Sequence, residues 1–219
     1  KGMVHILDKE SSILNKFLAE IRDVNIQGDS MRFRRNLERI AEICAYEISR
    51  TLDYTPQIVE TPLGEAEVML STDKVVLATI LRAGLPFHHG FLNYFDGAQN
   101  AFVTAYRKHH KDGSFEVKVE YISCGSLEGK VLILVDPMLA TGTSLVYSYE
   151  ALVAKGGNPK ELHVAAVIAS EAGVEYAEKH LPHGTHIWCA SVDPELSAQS
   201  YIIPGLGDAG DLAYGSKLD

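Results

Sequence analysis

Sulfur is scarce in this chain and unpatterned: Cys44, Cys124 and Cys189 lie far apart, outside any CxxC or Cys/His spacing. An odd, scattered set argues against a disulfide framework or a zinc module and is expected to be reduced and mostly buried. Long apolar runs are lacking too, so none of the 219 residues is expected to span a membrane. Positive charge is also short, since 20 Lys and Arg against 29 Asp and Glu leave a formal charge of −9. Such a chain repels phosphate backbones at long range, so no nucleic-acid partner is expected, and an anionic ligand must be held by local groups. With no repeat, low-complexity stretch or linker, one domain over 1–219 is expected. Lys1-Gly2 ahead of Met3 is too short and too polar for a signal peptide, which with the reduced cysteines points to a cytoplasmic protein.

What is present is a change of texture along the chain. Ile13, Leu14, Phe17, Leu18 and Ile21, then Phe33, Leu37, Ile40, Cys44 and Ile48, recur at helical spacing. The second helix carries Arg32, Arg34, Arg35 and Arg39 with Glu38, a solvated face on the plain reading and a subunit interface or anion site on the sharper one. From residue 75 the pattern becomes short continuous apolar runs: Val75 to Leu81, Ala101 to Tyr106, Val131 to Val135, Leu162 to Ala169 and Ile187 to Val192. Continuous rather than alternating apolarity predicts strands covered on both faces. Helices are expected at Phe87 to Phe95, Leu145 to Lys155 and Val174 to His180. The fold class is therefore α/β, a central, mostly parallel sheet flanked by helices. Val117, Val119 and Tyr121 alternate with charges after Asp112-Gly113, which predicts an antiparallel hairpin beginning near Tyr106 and spanning about 106–122. Asp193 to Asp219, with four Gly and two Pro, has no clean period, and its Tyr201, Ile202, Ile203 and Leu206 favour an ordered loop.

The strongest local signal is VLILVDPMLATGTS, residues 131–144. An apolar strand ends at Asp136, a small-residue turn follows, and a helix starts at once. Backbone N–H groups and a helix N-terminus then converge on one point, a ready site for a phosphate dianion. No Lys stands in or beside the turn and neither GxxxxGK[ST] nor GxGxxG is present, so this is not a Walker or dinucleotide loop. The carboxylate ahead of the turn can accept from a ribose diol, as acidic residues do in other nucleotide sites. An ordinary strand-turn-helix with a Ser/Thr cap is the plainer alternative. Thr143 is β-branched and disfavours positive φ, so Gly142 is expected to carry any left-handed conformation.

These residues resemble the phosphoribosylpyrophosphate (PRPP) loop of type I phosphoribosyltransferases, and DPMLATGTS is similar to its form in the uracil phosphoribosyltransferase branch. LRAGLP, Leu81 to Pro86, resembles the pyrophosphate loop, Tyr106-Arg107 the start of a mobile hairpin lid, and YIIPGLGDAGD, Tyr201 to Asp211, the uracil-binding loop of a C-terminal hood at about 193–219. The four blocks run in order over most of the chain. Departures are Thr143 where many relatives carry Gly, and His109-His110-Lys111 in place of an acidic run in the lid.

The resemblance implies the activity, uracil plus PRPP giving UMP and diphosphate in pyrimidine salvage, with Mg²⁺ carried in on PRPP and no metal held by the protein. It implies that Arg82 and Arg107 meet the diphosphate, Asp136 the ribose hydroxyls, and Pro137, Met138, Leu139, Ala140, Thr141, Gly142, Thr143 and Ser144 the 5-phosphate. Ile202, Gly207, Asp208 and Ala209 would surround uracil. Asp208 would also reach PRPP, and Arg107 and Asp208 are the candidate catalytic residues, with Asp208, solvent and diphosphate all open as acceptor of the N1 proton. A homodimer or homotetramer is expected, with GTP as a candidate effector. The alternatives are a regulatory nucleotide- or RNA-binding protein on the same fold and a transferase for another nucleobase. His88-His89 and His109-His110 are read as ordinary surface or supporting histidines rather than metal ligands.

Overall fold

The computed structural model describes residues 3–218, apart from the side chains of Arg107 and His109. The chain opens with β1 (Met3–Ile6), a 3₁₀ turn at Leu7–Lys9, α1 (Leu14–Arg22), α2 (Ser30–Ser49), and a hairpin of β2 (Tyr54–Thr61) and β3 (Gly64–Ser71). Next come β4 (Val75–Leu81), α3 (Gly84–Tyr94), β5 (Gln99–His109), β6 (Phe115–Ser123) and β7 (Val131–Val135). They are followed by β8 (Met138–Leu139), α4 (Thr143–Gly156), β9 (Glu161–Ser170), α5 (Glu171–His180) and β10 (His186–Asp193). The end is β11 (Glu195–Leu196), β12 (Ile202–Ile203) and α6 (Ala209–Tyr214).

The main sheet runs β1-β10-β9-β7-β4-β5-β6, with β8 added to β9; every pairing is parallel except β5 with β6. The run VLILV explains why β7 lies in the middle, since both faces of it are buried. Val131, Ile133 and Val135 pack with Leu37, Phe87 and other residues of α1, α2 and α3. Leu132 and Leu134 pack on the other face with Leu145 and Leu152 of α4 and Val174 and Ala177 of α5. Burying one such Leu or Val contributes about 1.5–3 kcal/mol, so the two layers fix the sheet. Helix α2 starts where Asp29 accepts from the Arg32 N–H and buries one stripe, Phe33, Leu37, Ile40, Cys44 and Ile48.

The α/β class and the expected strands and helices are present. Helix α3 begins at Gly84, earlier than the Phe87 expected from apolar spacing, because Pro86 in the first turn needs no intrahelical N–H bond. The strand expected to stop at Tyr106 continues into the hairpin as one strand, pairing with β6 from Phe102–Ser123 to His109–Phe115 with a bulge between Thr104 and Ala105. Pairing of β5 with β4 ends at Thr104–Leu81, so the hairpin beyond it overhangs the carboxyl end of β4. Exposure of nearly every β2 and β3 residue sets that hairpin apart from the rest of the fold.

The Arg-rich face of α2 is largely self-satisfied. Arg32 pairs with Glu20 and Arg35 with Glu38, while Arg34 donates to the Ala213 carbonyl and lies over the Tyr214 ring. It docks α6 rather than presenting a free basic surface. Cys44, Cys124 and Cys189 are unpaired, the first and last buried. Among the described residues, no helix is long and apolar enough to cross a membrane.

Candidate active site

Strand order reverses between β4 and β7: the chain passes from β4 outward to β5, then returns to the other side of β4 for β7, β9 and β10. Loops leaving the carboxyl ends of strands flanking such a switch diverge and leave a crevice, the usual ligand position in an open α/β sheet. Asp136 follows β7 and Arg82 follows β4, so the two predicted PRPP residues stand on either side of that crevice.

The phosphate loop is built as its sequence suggests. Asp136 is half-buried, its N–H bound to the Ala165 carbonyl and its Oδ1 accepting from the Met138 N–H at 3.3 Å. Gly142 sits at φ +85° and Thr143 is the first residue of α4, so the glycine alone makes the left-handed turn. Thr141 Oγ1 lies 2.8 Å from Thr143 Oγ1 and accepts from the Thr143 N–H. Behind the loop, the Ser170 hydroxyl donates to the Ala140 carbonyl and accepts from the Gly173 N–H, tying the turn to α5. Asp136, Leu139, Ala140, Thr141, Gly142 and Ser144 line a small concavity of about 40 Å³. The Pro137 carbonyl accepts from the Val167 and Ile168 N–H groups, and Leu139 is buried in the core.

Arg82 lies at the join of β4 and α3, where the Leu81–Arg82 peptide is cis. Its Nη2 donates to Asp211 Oδ1 at 2.7 Å and its Nη1 to the Gly215 carbonyl at 3.0 Å, which carries it onto the C-terminal hood. Below it, His88 is buried between Thr79, which donates to Nδ1, and Asn100, whose Oδ1 accepts from Nε2 at 2.7 Å. Burial, opposed by the Asn100 bond and aided by the nearby His89 charge, holds His88 below its ordinary pKa. It is a neutral core histidine bracing the loop rather than a surface one.

The hood folds back over the sheet through a small antiparallel pairing of β11 with β12. Ile202, Leu206 and Ala209 are buried against the core. Asp208 caps α6, its Oδ1 accepting from the Asp211 N–H at 2.9 Å, and its Oδ2 is 3.5 Å from the Tyr201 hydroxyl. A Cβ on Gly210 would stand 3.0 Å from Arg82 Nη2 and 3.4 Å from Asp208 Oδ1. Arg82 and Asp208 thus both flank Gly210.

The chain that carries this turn and hood is similar to known proteins over nearly its whole length. The family model described as uracil phosphoribosyltransferase covers residues 9–216. The chain belongs to the uracil phosphoribosyltransferase family. The uracil phosphoribosyltransferase of Porphyromonas gingivalis is 57% identical over 212 residues, covering 97% of this chain and 98% of the relative. That of Pyrococcus furiosus is 37% identical over 213 residues, covering 96% and 89%. Among solved structures, the AQ2163 protein of Aquifex aeolicus aligns with a TM-score of 0.86 at 26% identity, covering 99% of this chain and all of that one. A hypoxanthine phosphoribosyltransferase of Staphylococcus aureus, at 14% identity and a TM-score of 0.50 over 74% and 76%, shares the fold.

Of the residues the resemblance to the uracil phosphoribosyltransferase family singled out, Arg82 and Asp208 each lie beside Gly210, and Asp136 to Ser144 form the turn that follows β7. Arg107 pairs with Val117 in the lid hairpin, and its side chain lies outside the described residues. Gly215 and Ser170, and the bond of Asp211 to Arg82, were not anticipated, because each acts through a contact distant in sequence; His88 takes the supporting role read as one of its two alternatives.

Proposed function

We propose that this chain transfers the 5-phosphoribosyl group of PRPP to N1 of uracil, releasing diphosphate and forming UMP, as a pyrimidine-salvage pentosyltransferase. The observation that carries the reading is the meeting of Arg82 with the YIIPGLGDAGD hood beside the 136–144 turn, in a member of this family. Asp136 orients the ribose hydroxyls, residues 137–144 enclose the 5-phosphate, and Ile202, Gly207, Asp208 and Ala209 surround uracil. As the bond from C1 to the diphosphate oxygen breaks, positive charge builds on the ribose and negative charge on the leaving group. Arg82 and Arg107 stabilise the latter, and the N1 electron pair closes the new bond. The N1 proton leaves to Asp208, solvent or diphosphate. Asp136 at the end of β7 is the residue beside which a Mg²⁺ carried in on PRPP would sit, and that ion would supply charge neutralisation of the diphosphate. The lid hairpin at about 106–122, over the end of β4, shields the activated sugar from water. Residues 1–219 act as one domain, with the hood at about 193–219.

Mixing the protein with uracil, PRPP and Mg²⁺ should release diphosphate and yield UMP, while cytosine, hypoxanthine and no base should not. Release with hypoxanthine, or none with uracil, overturns the assignment. The Gly142→Ala variant should raise KM for PRPP roughly tenfold, because holding an L-residue at left-handed φ costs about 1–2 kcal/mol; an unchanged KM means that the turn does not hold the phosphate.

Assembly as a homodimer or homotetramer is supported by the β2–β3 hairpin. It pairs with no other strand, and a two-stranded sheet alone is marginal in water. One of its faces carries Val59, Ala66, Val68 and Leu70 side by side, with Thr55 and Gln57 opposite Leu70 and Val68. The Val68→Glu variant is expected to sediment as a smaller species than the parent, and an unchanged coefficient would place the contact elsewhere. The same runs with and without GTP test the candidate effector. A cytoplasmic setting fits the three unpaired thiols, of which Cys44 and Cys189 are pushed by burial well above the ordinary range.

A further inference from the structure

The last residue of α1, Arg22, reaches the last residue of β10, Asp193, in a two-pronged ion pair. Nη1 to Oδ2 and Nη2 to Oδ1 are both 2.8 Å. The same fork donates to the Gly205 carbonyl at 2.9 Å and the Ser191 hydroxyl at 3.3 Å. Asp193 Oδ2 in turn accepts from the Gly205 N–H at 2.8 Å. Both polar atoms of one hood peptide residue are therefore held by the two members of one ion pair. One residue further, the Leu206 carbonyl accepts from Gln27 Nε2 at 3.0 Å, and that amide also donates to the Ile21 carbonyl at the end of α1.

Gly205 stands at φ +52°, and a Cβ there would lie 2.0 Å from the Ile202 carbonyl oxygen, so the turn needs a glycine, whose free backbone must be held by outside bonds. Burial works to raise the Asp193 carboxyl, but the Arg22 fork and the Gly205 N–H hold it below the usual carboxylate range, so it is ionised at neutral pH. Ion pairs this shielded add little net stability, because the desolvation of both charges offsets their attraction. A pair that satisfies three further polar groups instead fixes a geometry.

We propose that Arg22, Asp193 and Gln27 are positioning residues for the nucleobase: they set the main chain at Gly205 and Leu206, and through it the aim of Gly207, Asp208 and Ala209 at uracil. This deepens the reading of the hood as the uracil loop and rests on it. Among the described residues no hydrogen bond or ion pair joins any of the three to the 140–144 turn or to Arg82, and the nearest link is Asp193 standing opposite Ser170 on β9, so their loss should act more on uracil than on PRPP. Selectivity should suffer as well, since telling uracil from cytosine through backbone groups depends on where those groups point.

The test is steady-state kinetics on Arg22→Met, which keeps the packed stem and removes the fork, and on Gln27→Ala, which leaves the ion pair intact. In Arg22→Met the KM for uracil should rise roughly tenfold, the scale of a lost charged hydrogen bond or a displaced contact, with KM for PRPP within about twofold. Its preference for uracil over cytosine should fall, and Gln27→Ala should show the same split in smaller measure. Arg22→Lys, which keeps one charged contact to Asp193, should recover part of the loss. Gly207→Ala, at a proposed base contact that Arg22 does not touch, is the control for the hood itself. If Gly207→Ala raises KM for uracil while folded Arg22→Met and Gln27→Ala leave it and the cytosine preference unchanged, the positioning role is wrong. If both KM values rise together in Arg22→Met, the pair is only structural. If Gly207→Ala has no effect on uracil either, the hood does not hold the base and the underlying reading falls.

Discussion

The Arg82→Ala variant is expected to lose about 10²–10³-fold in kcat/KM for PRPP, the usual effect of removing one donor aimed at charge that develops in the transition state. The guanidinium is not idle without substrate: it spans Asp211 and the Gly215 carbonyl. That pair is about one-third exposed on both sides, and exposed ion pairs contribute only about 0–1 kcal/mol. Trading Asp211 for a diphosphate therefore costs little, and losing Arg82 should move the melting temperature by only a few degrees while activity collapses. Arg82→Lys keeps a charge but not the fork and should fall between, nearer to Ala if two diphosphate oxygens are gripped at once. Coupled measurement of kcat/KM and thermal melting decides the matter. An Arg82→Ala enzyme within threefold of the parent removes Arg82 from the leaving-group role.

The parts of this arrangement that could be seen beforehand share one physical property: their signal is local. β4 and β7 were legible to the residue because strands buried on both faces leave continuous apolar runs between polar turns. The phosphate turn was legible because Gly142, Thr141 and Ser144 follow a strand end directly, and Gly142 does carry the left-handed conformation that Thr143 could not. The β2–β3 hairpin was not anticipated, although Ala66, Val68 and Leu70 alternate with Glu65 and Glu67, because so short and weak an alternation is not distinguished from loop when neither face enters the core. β1 is four residues on a sheet edge, too short for a pattern. In the site, the bonds from Arg22 to Asp193 and from Arg82 to Asp211 span 171 and 129 positions, and what joins them is the order of strands in the sheet. The irregular tail expected after Asp193 contains α6, whose six residues with two neighbouring aspartates become a helix only because Asp208 caps it and Arg34 docks its end.

Stability should fall by roughly 2 kcal/mol between pH 7.5 and pH 5.0 through one residue at the opposite end of the sheet, His163. It is fully buried on β9, beside His186 on β10, with His5 on β1 paired against Trp188. The Trp188 indole can only donate, and its N–H meets His163 Nδ1 at 3.0 Å. The proton of His163 is therefore on Nε2, which donates to Glu161 Oε1 at 3.0 Å, so this contact is a hydrogen bond rather than an ion pair. A second proton would have to enter at Nδ1, against the indole N–H. Burial, and then the neighbouring His186 and His5, push the pKa of His163 down to about 3. In the unfolded chain the same side chain titrates near about 6.5. Below that pH the unfolded state takes up the proton and the folded state does not, so the contribution of His163 is complete above about 6.5 and drains away as pH falls. His5 and His186, both lowered chiefly by burial, tilt the slope the same way. Glu161, raised by burial and by Asp73, binds its proton earlier in the folded protein and offsets part of the loss at the acid end. For a chain of this size the loss corresponds to a fall of about 4–8 °C in melting temperature. His163→Gln cannot titrate and can still donate toward Glu161, so its profile should be flatter over the same range, with the sole tryptophan, Trp188, reporting unfolding in both proteins by fluorescence. Equal slopes for the two proteins would show that the folded protein protonates His163 as readily as the unfolded one.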